Sequence, residues 1–193
     1  MTMEAPQIQP ESTKHGFLPQ KIEIGKDYIF GGTYTKLKGE IINETGDWTP
    51  YLPVFEAQAP RWETNACTAF GTSSACETLV KYIFGEDVNL SDRMIASGAG
   101  IDPARGAVPK LAADFIRKKW SVPEERWPMT EAETLQDYYK QVPQELYQEA
   151  KKYQGDFAFS YEYVNPGPAT LKEALKRGTV CMSVALWLGD DGK

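Results

Sequence analysis

The stretch that decides the fold is Thr64-Asn65-Ala66-Cys67-Thr68-Ala69-Phe70-Gly71-Thr72-Ser73-Ser74-Ala75-Cys76, which places a cysteine at the start of a predicted helix. Apolar residues recur at helical spacing over 66–84 and predict a central helix that is apolar around most of its circumference. We expect Thr64 or Asn65 to cap its start and Gly85 to end it. A thiol in the first turn lies near unpaired backbone N–H groups, which favour the thiolate. Cys67 is therefore the candidate nucleophile.

The usual partner base of such a thiolate is not evident, because the one histidine, His15, lies in a Pro- and Gln-rich leader. The other two cysteines, Cys76 and Cys181, have apolar neighbours and are predicted to be core residues. Nine residues of helix separate Cys67 from Cys76 and turn them to opposite sides, which excludes a disulfide between them. With no CxxC pair and no histidine nearby, we expect no metal site and no cofactor.

Length and charge exclude several classes of protein. The 193 residues are enough for one domain, or for two small lobes around a cleft. A net charge of −6 with dispersed basic residues argues against a nucleic-acid partner. No apolar run is long enough to span a membrane, and the first ten residues do not form a signal peptide. We therefore expect no membrane partner, and the cellular location stays open.

The rest of the chain divides into segments that differ in composition and periodicity. Residues 1–20 are polar and Pro-rich and predict a flexible arm, while 21–60 predict either extended surface chain or a segment that covers the cleft as a propeptide. Periodicity and Gly or Pro boundaries predict further helices over 91–95, 108–119, 131–140, 144–152 and 171–177. Alternating aromatic residues predict a strand over 156–164, and an apolar run predicts a buried strand over 179–188.

Five segments resemble, in order, parts of the papain-like cysteine peptidases, especially the divergent versions of phages and other viruses. They are Cys67-Thr68-Ala69-Phe70, Asn89–Met94, Gly106–Leu111, Ser121–Pro128 and Leu171–Val184. The resemblance covers about 61–188 and implies an α+β fold, with a helical lobe around the cysteine-bearing helix and part of an antiparallel β lobe. It also implies that the domain of 61–193 is incomplete at its C-terminus, since the family's histidine follows the strand predicted over 179–188.

The resemblance also implies roles for single residues. Cys67 matches the nucleophile, whose backbone N–H forms half of the oxyanion hole. Arg61 stands where the family carries an oxyanion-donating glutamine, six residues upstream. Gly106 matches the loop whose backbone pairs with an extended peptide or protein substrate. The Glu63 carboxylate, closer to the thiol, is expected to oppose an oxyanion and to raise the thiol pKa.

Two functions remain open from the sequence. One is a cysteine peptidase or related acyl-transfer enzyme, whose histidine lies beyond residue 193 or on a partner. The other is a non-catalytic papain-like scaffold, a viral structural or peptide-binding protein. A chain that ends inside a β lobe exposes a strand edge, so we also expect association through that edge.

Overall fold

The computed structural model describes residues 18, 22–23, 26–30, 40–58, 61–154 and 159–182. The helices within these ranges are α1 Cys67–Phe84, α2 Asp92–Ala99, α3 Pro109–Lys119, α4 Leu135–Tyr138, α5 Gln144–Gln154 and α6 Pro168–Leu175. Single 3-10 turns lie at Thr49–Tyr51, Glu124–Arg126 and Met129–Glu131. β pairing in the same ranges consists of isolated bridges, Ile29–Tyr163, Leu90–Pro123 and Asp102–Gly106.

Helix α1 packs against both α2 and α3, which confirms the predicted central helix. It ends at Gly85, whose φ of 72° is left-handed, also as predicted. The expected side-chain cap is wrong, because Ala66 is the N-cap residue and no side chain caps it. Asn65 has a φ of 55° and its amide donates to the Pro103 carbonyl, so its side chain points away from the helix. The backbone N–H groups of the first turn therefore lack a side-chain cap.

Helices α2 and α3 complete the helical lobe. The Ser91 hydroxyl accepts from the Met94 backbone N–H at 3.2 Å and starts α2, which runs past the predicted end to Ala99. Pro109 occupies the first turn of α3, where its missing N–H costs nothing. The Phe115 ring of α3 lies where a side chain at Gly98 of α2 would begin. The two helices therefore approach closely at this glycine.

The single helix predicted over 131–140 is wrong. A 3-10 turn ends at Glu131, and the Thr134 hydroxyl accepts from the Asp137 N–H at 3.1 Å to start the four-residue α4. The buried Arg93 guanidinium donates to carbonyls of this region, including that of Tyr138 at 3.3 Å. These carbonyls thus accept hydrogen bonds from the Arg93 side chain, and the region does not form one continuous helix. Two other helices differ at their bounds: α5 extends to Gln154, and α6 covers Pro168–Leu175 instead of 171–177.

The predicted β lobe is present only in part. Of the strand predicted over 156–164, the described residues 159–164 form one bridge, in which Tyr163 pairs in parallel with Ile29. The alternation of aromatic residues is nevertheless a packing face, because Phe159 stacks on Trp120 at 5.0 Å and the Tyr161 hydroxyl donates to Asp114 of α3 at 2.8 Å. Residues 156–158 and 183–188 of the two predicted strands lie outside the described ranges, and the described residues 179–182 of the second strand form no bridge. The helical half of the predicted α+β architecture is therefore confirmed, and an antiparallel sheet is not shown.

Three carboxyl groups lie at the junction of α1, α2 and the turn that follows α3. Glu77 accepts from the Leu90 N–H at 2.8 Å, Glu124 accepts from the Met129 N–H at 2.7 Å, and Asp92 accepts from the Ser73 hydroxyl. Burial raises the pKa of Glu77 and of Glu124 to about 7, and it raises the pKa of Asp92 well above its ordinary range.

The chain before α1 is anchored to the helices. Asp27 is buried and forms an ion pair with Lys110 of α3. The Trp48 indole N–H donates to the Leu175 carbonyl at 2.7 Å, which ties the 40–58 segment to α6. The domain boundaries stay predictions. In the described part of the chain, no helix combines the length and the apolar content that a membrane crossing requires.

Candidate functional site

Cys67 is the first residue of α1 and is half-buried. Burial raises the pKa of its thiol, and the negative charge of Glu63 raises that pKa further, as expected for this carboxylate. The backbone N–H groups of Thr68 and Cys67 act in the opposite direction and lower it. The predicted effect of the helix N-terminus on the thiol is therefore present, although the pKa as a whole is raised because burial outweighs it.

The turn formed by Thr64, Asn65 and Ala66, called here the pre-cysteine turn, is held by groups from three places. The Glu63 carboxylate accepts from the Asn65 backbone N–H at 2.8 Å. The Asn65 side-chain amide donates to the Pro103 carbonyl at 2.8 Å. The Tyr139 hydroxyl, which follows α4, donates to the Thr64 carbonyl at 2.7 Å. Cys67 is thus oriented by contacts from two distant parts of the sequence.

Gln58 is a site residue that the sequence reasoning missed. Its side-chain amide donates to the Glu63 carboxylate at 2.5 Å, and its carbonyl accepts from the Thr64 hydroxyl at 3.3 Å. The sequence feature that could have identified Gln58 is that it is a glutamine upstream of Cys67. Its spacing from Cys67 is longer than the six residues that the family resemblance predicts. Arg61, at the expected spacing, is exposed, and its side chain makes no hydrogen bond or ion pair to another described residue.

The loop around Gly106 lies beside the pre-cysteine turn, joined to it through the Asn65 to Pro103 hydrogen bond. Gly106 has a φ of 76°, which favours glycine, and its N–H donates to the Asp102 carbonyl at 2.7 Å. Its own backbone groups are therefore used inside the loop. The next carbonyl, that of Ala107, accepts from the Leu18 N–H at 2.9 Å. A backbone hydrogen bond from another part of the chain is thus made one residue after Gly106.

The other two cysteines differ in environment. Cys76 is buried, as predicted. Cys181 is exposed, so its assignment to the core was wrong: its sulfur rests on Gly71 at the surface of α1. The Thr179 hydroxyl donates to the Ala75 carbonyl at 3.1 Å, so the segment runs antiparallel to α1, toward the Cys67 end. All three cysteines are thiols.

Other chemical groups near the site are few. The described ranges contain no histidine, and His15 lies outside them. Within the same ranges, no three side chains of His, Cys, Asp or Glu gather in an arrangement that would hold a metal ion.

Comparisons with known proteins bear on the fold. No protein-family model matches the chain, and no curated protein matches it in sequence. The chain is similar in structure to Xylellain, a cysteine protease from Xylella fastidiosa, with a TM-score of 0.59 and 18% identity over 87% of this chain and 65% of that one. A second match, the proform of the Amb a 11 cysteine protease of ragweed pollen, has a TM-score of 0.32 and 20% identity over 35% of this chain and 21% of that one. This chain therefore spans less than two thirds of either protein. The similarity to Xylellain shows that the chain has the papain-like cysteine protease fold.

Proposed function

We propose that the protein is a cysteine peptidase or a related acyl-transfer enzyme in which Cys67 attacks a peptide carbonyl. The observation that carries this proposal is the placement of Cys67 at the uncapped start of α1, beside a loop whose Ala107 carbonyl accepts a hydrogen bond from a backbone N–H, that of Leu18. A nucleophile and a backbone group that can bind an extended peptide are two of the elements that peptide-bond cleavage requires.

The first step forms a bond between the Cys67 sulfur and the peptide carbonyl carbon, and the carbonyl oxygen becomes an oxyanion. The backbone N–H of Cys67 supplies one donor for that oxygen. Collapse of the intermediate breaks the C–N bond, the leaving amine takes a proton, and the acyl group stays on Cys67 as a thioester. Water, or the acceptor in an acyl-transfer reaction, then attacks the thioester carbonyl and the C–S bond breaks, which regenerates the thiol. Since the pKa of the Cys67 thiol is raised, the thiol must also lose its proton to a base during the attack.

The base is the part of the proposal that the described residues do not supply. We propose an imidazole from His15, from a longer natural chain or from a partner. A His15→Gln variant tests the first source, and addition of free imidazole to the assay tests whether a missing base limits the rate. Loss of activity in His15→Gln that imidazole restores would assign the base to His15.

The test of the function is hydrolysis of a quenched fluorescent peptide library by the full chain, with and without imidazole. Cys67→Ser is expected to abolish hydrolysis, and Cys181→Ser, a change at an exposed cysteine, is expected to leave it unchanged. Hydrolysis that persists in Cys67→Ser, or no hydrolysis by the unmodified chain under either condition, would overturn the proposal.

The second oxyanion donor is Gln58 or Arg61. Gln58 is favoured, because its amide lies against Glu63 beside the pre-cysteine turn, whereas Arg61 extends into solvent. Removal of an oxyanion donor lowers kcat by about 10²–10³. We expect Gln58→Ala to show a loss of this size and Arg61→Ala to show little change. The reverse result would assign the donor to Arg61.

A second candidate is a non-catalytic scaffold that binds an extended peptide, such as a viral structural component. Peptide binding of equal affinity by the unmodified chain and Cys67→Ser, without hydrolysis in either, would support it. Association through a strand edge stays a prediction, which light scattering tests.

A further inference from the structure

The pre-cysteine turn has a backbone conformation that needs support. Asn65 has a φ of 55°, and only one other described residue that is not glycine, Trp120, has a positive φ. Such conformations cost free energy and persist when surrounding contacts hold them. The contacts of this turn therefore determine how Cys67 is presented.

One of those contacts comes from a distant part of the chain. The Tyr139 hydroxyl donates to the carbonyl of Thr64, a fully buried residue that lies 75 positions earlier in the sequence. The Tyr139 ring is itself fixed, because it packs edge-to-face on the buried Tyr138 at 4.9 Å. A rigid phenol thus holds the carbonyl that precedes the strained residue.

A second contact holds the same turn from the loop side. The Asn65 amide donates to the Pro103 carbonyl at 2.8 Å. The phenol is also close to the thiol: after burial, the charges of Asp102, Cys67 and Glu63 are the causes that raise the pKa of Tyr139. Tyr139 therefore stays protonated and acts as a hydrogen-bond donor.

We infer that Tyr139 is a positioning residue for Cys67, acting through the Thr64 carbonyl to hold the strained pre-cysteine turn together with Asn65. The inference deepens the proposed function, on which it rests for the role of Cys67 as the reacting group. The orientation of this turn sets the direction of the backbone N–H groups of Cys67 and Thr68. These groups stabilise the thiolate, so a loosened turn makes the thiol less acidic.

The test is the pH dependence of Cys67 alkylation by iodoacetamide, followed by peptide mass spectrometry in the full chain. Tyr139→Phe removes the hydroxyl and keeps the ring. We expect its alkylation rate near pH 8 to fall about threefold and its midpoint to move about half a pH unit toward alkaline pH. Alkylation of Cys181, whose negative charge also raises the pKa of Cys67, is followed in the same sample and is expected to change less than that of Cys67.

The matched control is Tyr82→Phe. The Tyr82 hydroxyl also donates to a backbone carbonyl, that of Ile42, but it lies near the other end of α1. We expect this variant to keep the wild-type alkylation profile. A profile of Tyr139→Phe that matches the wild type, or an equal shift in Tyr82→Phe, overturns the inference, because a general loss of packing does not move the thiol titration selectively.

A second variant covers the case in which Tyr139→Phe does not fold. Asn65→Gly accommodates the positive φ without strain and removes the donor to Pro103. We expect an alkaline shift of the Cys67 profile in this variant too, and an unchanged profile would overturn the inference. The alkylation readout does not depend on peptide hydrolysis. A shift without any hydrolysis would support the positioning role and overturn the proposed function, whereas hydrolysis without a shift would do the reverse.

Discussion

Glu63 is a single residue with two opposing effects on Cys67. Its carboxylate accepts from the Asn65 N–H and so supports the pre-cysteine turn. Its negative charge raises the pKa of the thiol, which lowers the thiolate fraction at neutral pH. A neutral isostere separates the two effects, because a glutamine oxygen still accepts from the same N–H.

We predict that Glu63→Gln speeds Cys67 alkylation at pH 8 by a few-fold. Removal of a nearby negative charge lowers the thiol pKa, and each pKa unit is worth about tenfold in thiolate fraction at pH below the pKa. The measurement is the iodoacetamide rate against pH. Glu86→Gln, at an exposed residue beyond the far end of α1, is the control and should match the wild type. A slower reaction in Glu63→Gln would show that its role in the turn outweighs its charge.

Arg93 is fully buried and binds backbone rather than substrate. Its guanidinium donates to the carbonyls of Asp137 at 2.7 Å, Pro128 at 3.2 Å and Tyr138 at 3.3 Å, and it lies 4.5 Å from the centre of the Trp127 ring. These bonds fix the chain between the 3-10 turn at Met129–Glu131 and the start of α5. Tyr139 lies on this part of the chain.

We predict that Arg93→Met destabilises the protein by about 3–5 kcal/mol, because buried carbonyls and the Asp137 carboxylate lose their partner. Urea unfolding measures the loss. Arg126→Met is the control, since Arg126 forms an exposed bidentate pair with Glu149 at 2.6 and 3.0 Å. The loss in Arg126→Met is expected to be a small fraction of the loss in Arg93→Met, because solvent screens an exposed pair. Equal effects of the two substitutions would contradict the prediction.

At the scale of elements, the contact of α2 with α3 depends on one glycine. Gly98 leaves room for the Phe115 ring, and a methyl group at this position would overlap the ring atoms. Glycine in a helix interior costs about 0.5–1 kcal/mol relative to alanine, so the close approach must compensate for that cost.

We predict that Gly98→Ala destabilises the protein by about 1–2 kcal/mol, because overpacking outweighs the gain in helix propensity. The double variant with Phe115→Leu should recover part of the loss, since a smaller side chain frees the space. Gly178→Ala, where nothing lies within 4 Å of an added methyl group, is the control. Thermal and urea unfolding check the prediction, and a stabilised Gly98→Ala would refute it.

Element boundaries show what local sequence determines here. Helices α1 and α3 were predicted closely, because apolar periodicity and Gly or Pro boundaries act within a few residues. The helix predicted over 131–140 failed because Arg93, far away in sequence, binds its carbonyls. Cys67 was chosen as the candidate nucleophile from its own segment of sequence. The pKa of its thiol, however, depends on burial by the folded chain. Gln58 and Tyr139 were missed because the turn that joins them to Cys67 exists only in three dimensions.

At the scale of the whole molecule, the buried carboxyl groups of Glu77, Asp92 and Glu124 link folding to pH. The charged groups that act on them include Glu56, which raises all three pKa values, and Arg93, which lowers that of Glu124; Asp92 and Glu124 in turn raise the pKa of the buried Tyr138. Since folded pKa values exceed unfolded ones, the folded chain binds more protons. The contribution of Glu77 and Glu124 to the free energy of unfolding is fully present below about pH 4.5 and is lost as pH rises through about 7.

We predict that the free energy of unfolding is lower at pH 8 than at pH 5. The contribution of Glu77, whose pKa rises from 4.5 to about 7, is at most about 3 kcal/mol. In Glu77→Gln the amide oxygen still accepts from Leu90, but the side chain does not titrate. The difference in the free energy of unfolding between pH 5 and pH 8, measured with urea, should therefore be smaller in this variant. Parallel pH profiles of the two proteins would exclude a role for Glu77.

The bond from the Leu18 N–H to the Ala107 carbonyl has a consequence for the proposed binding of an extended peptide beside Cys67. That carbonyl already has an intramolecular partner, whose effective concentration is set by its tether to the anchored Asp27 and Lys110 pair. An incoming backbone must compete with it, so the apparent dissociation constant equals the intrinsic one divided by the fraction of molecules in which Leu18 has left. Under the proposed function, the affinity for an extended peptide therefore depends on Leu18, a residue far from Cys67 in the sequence.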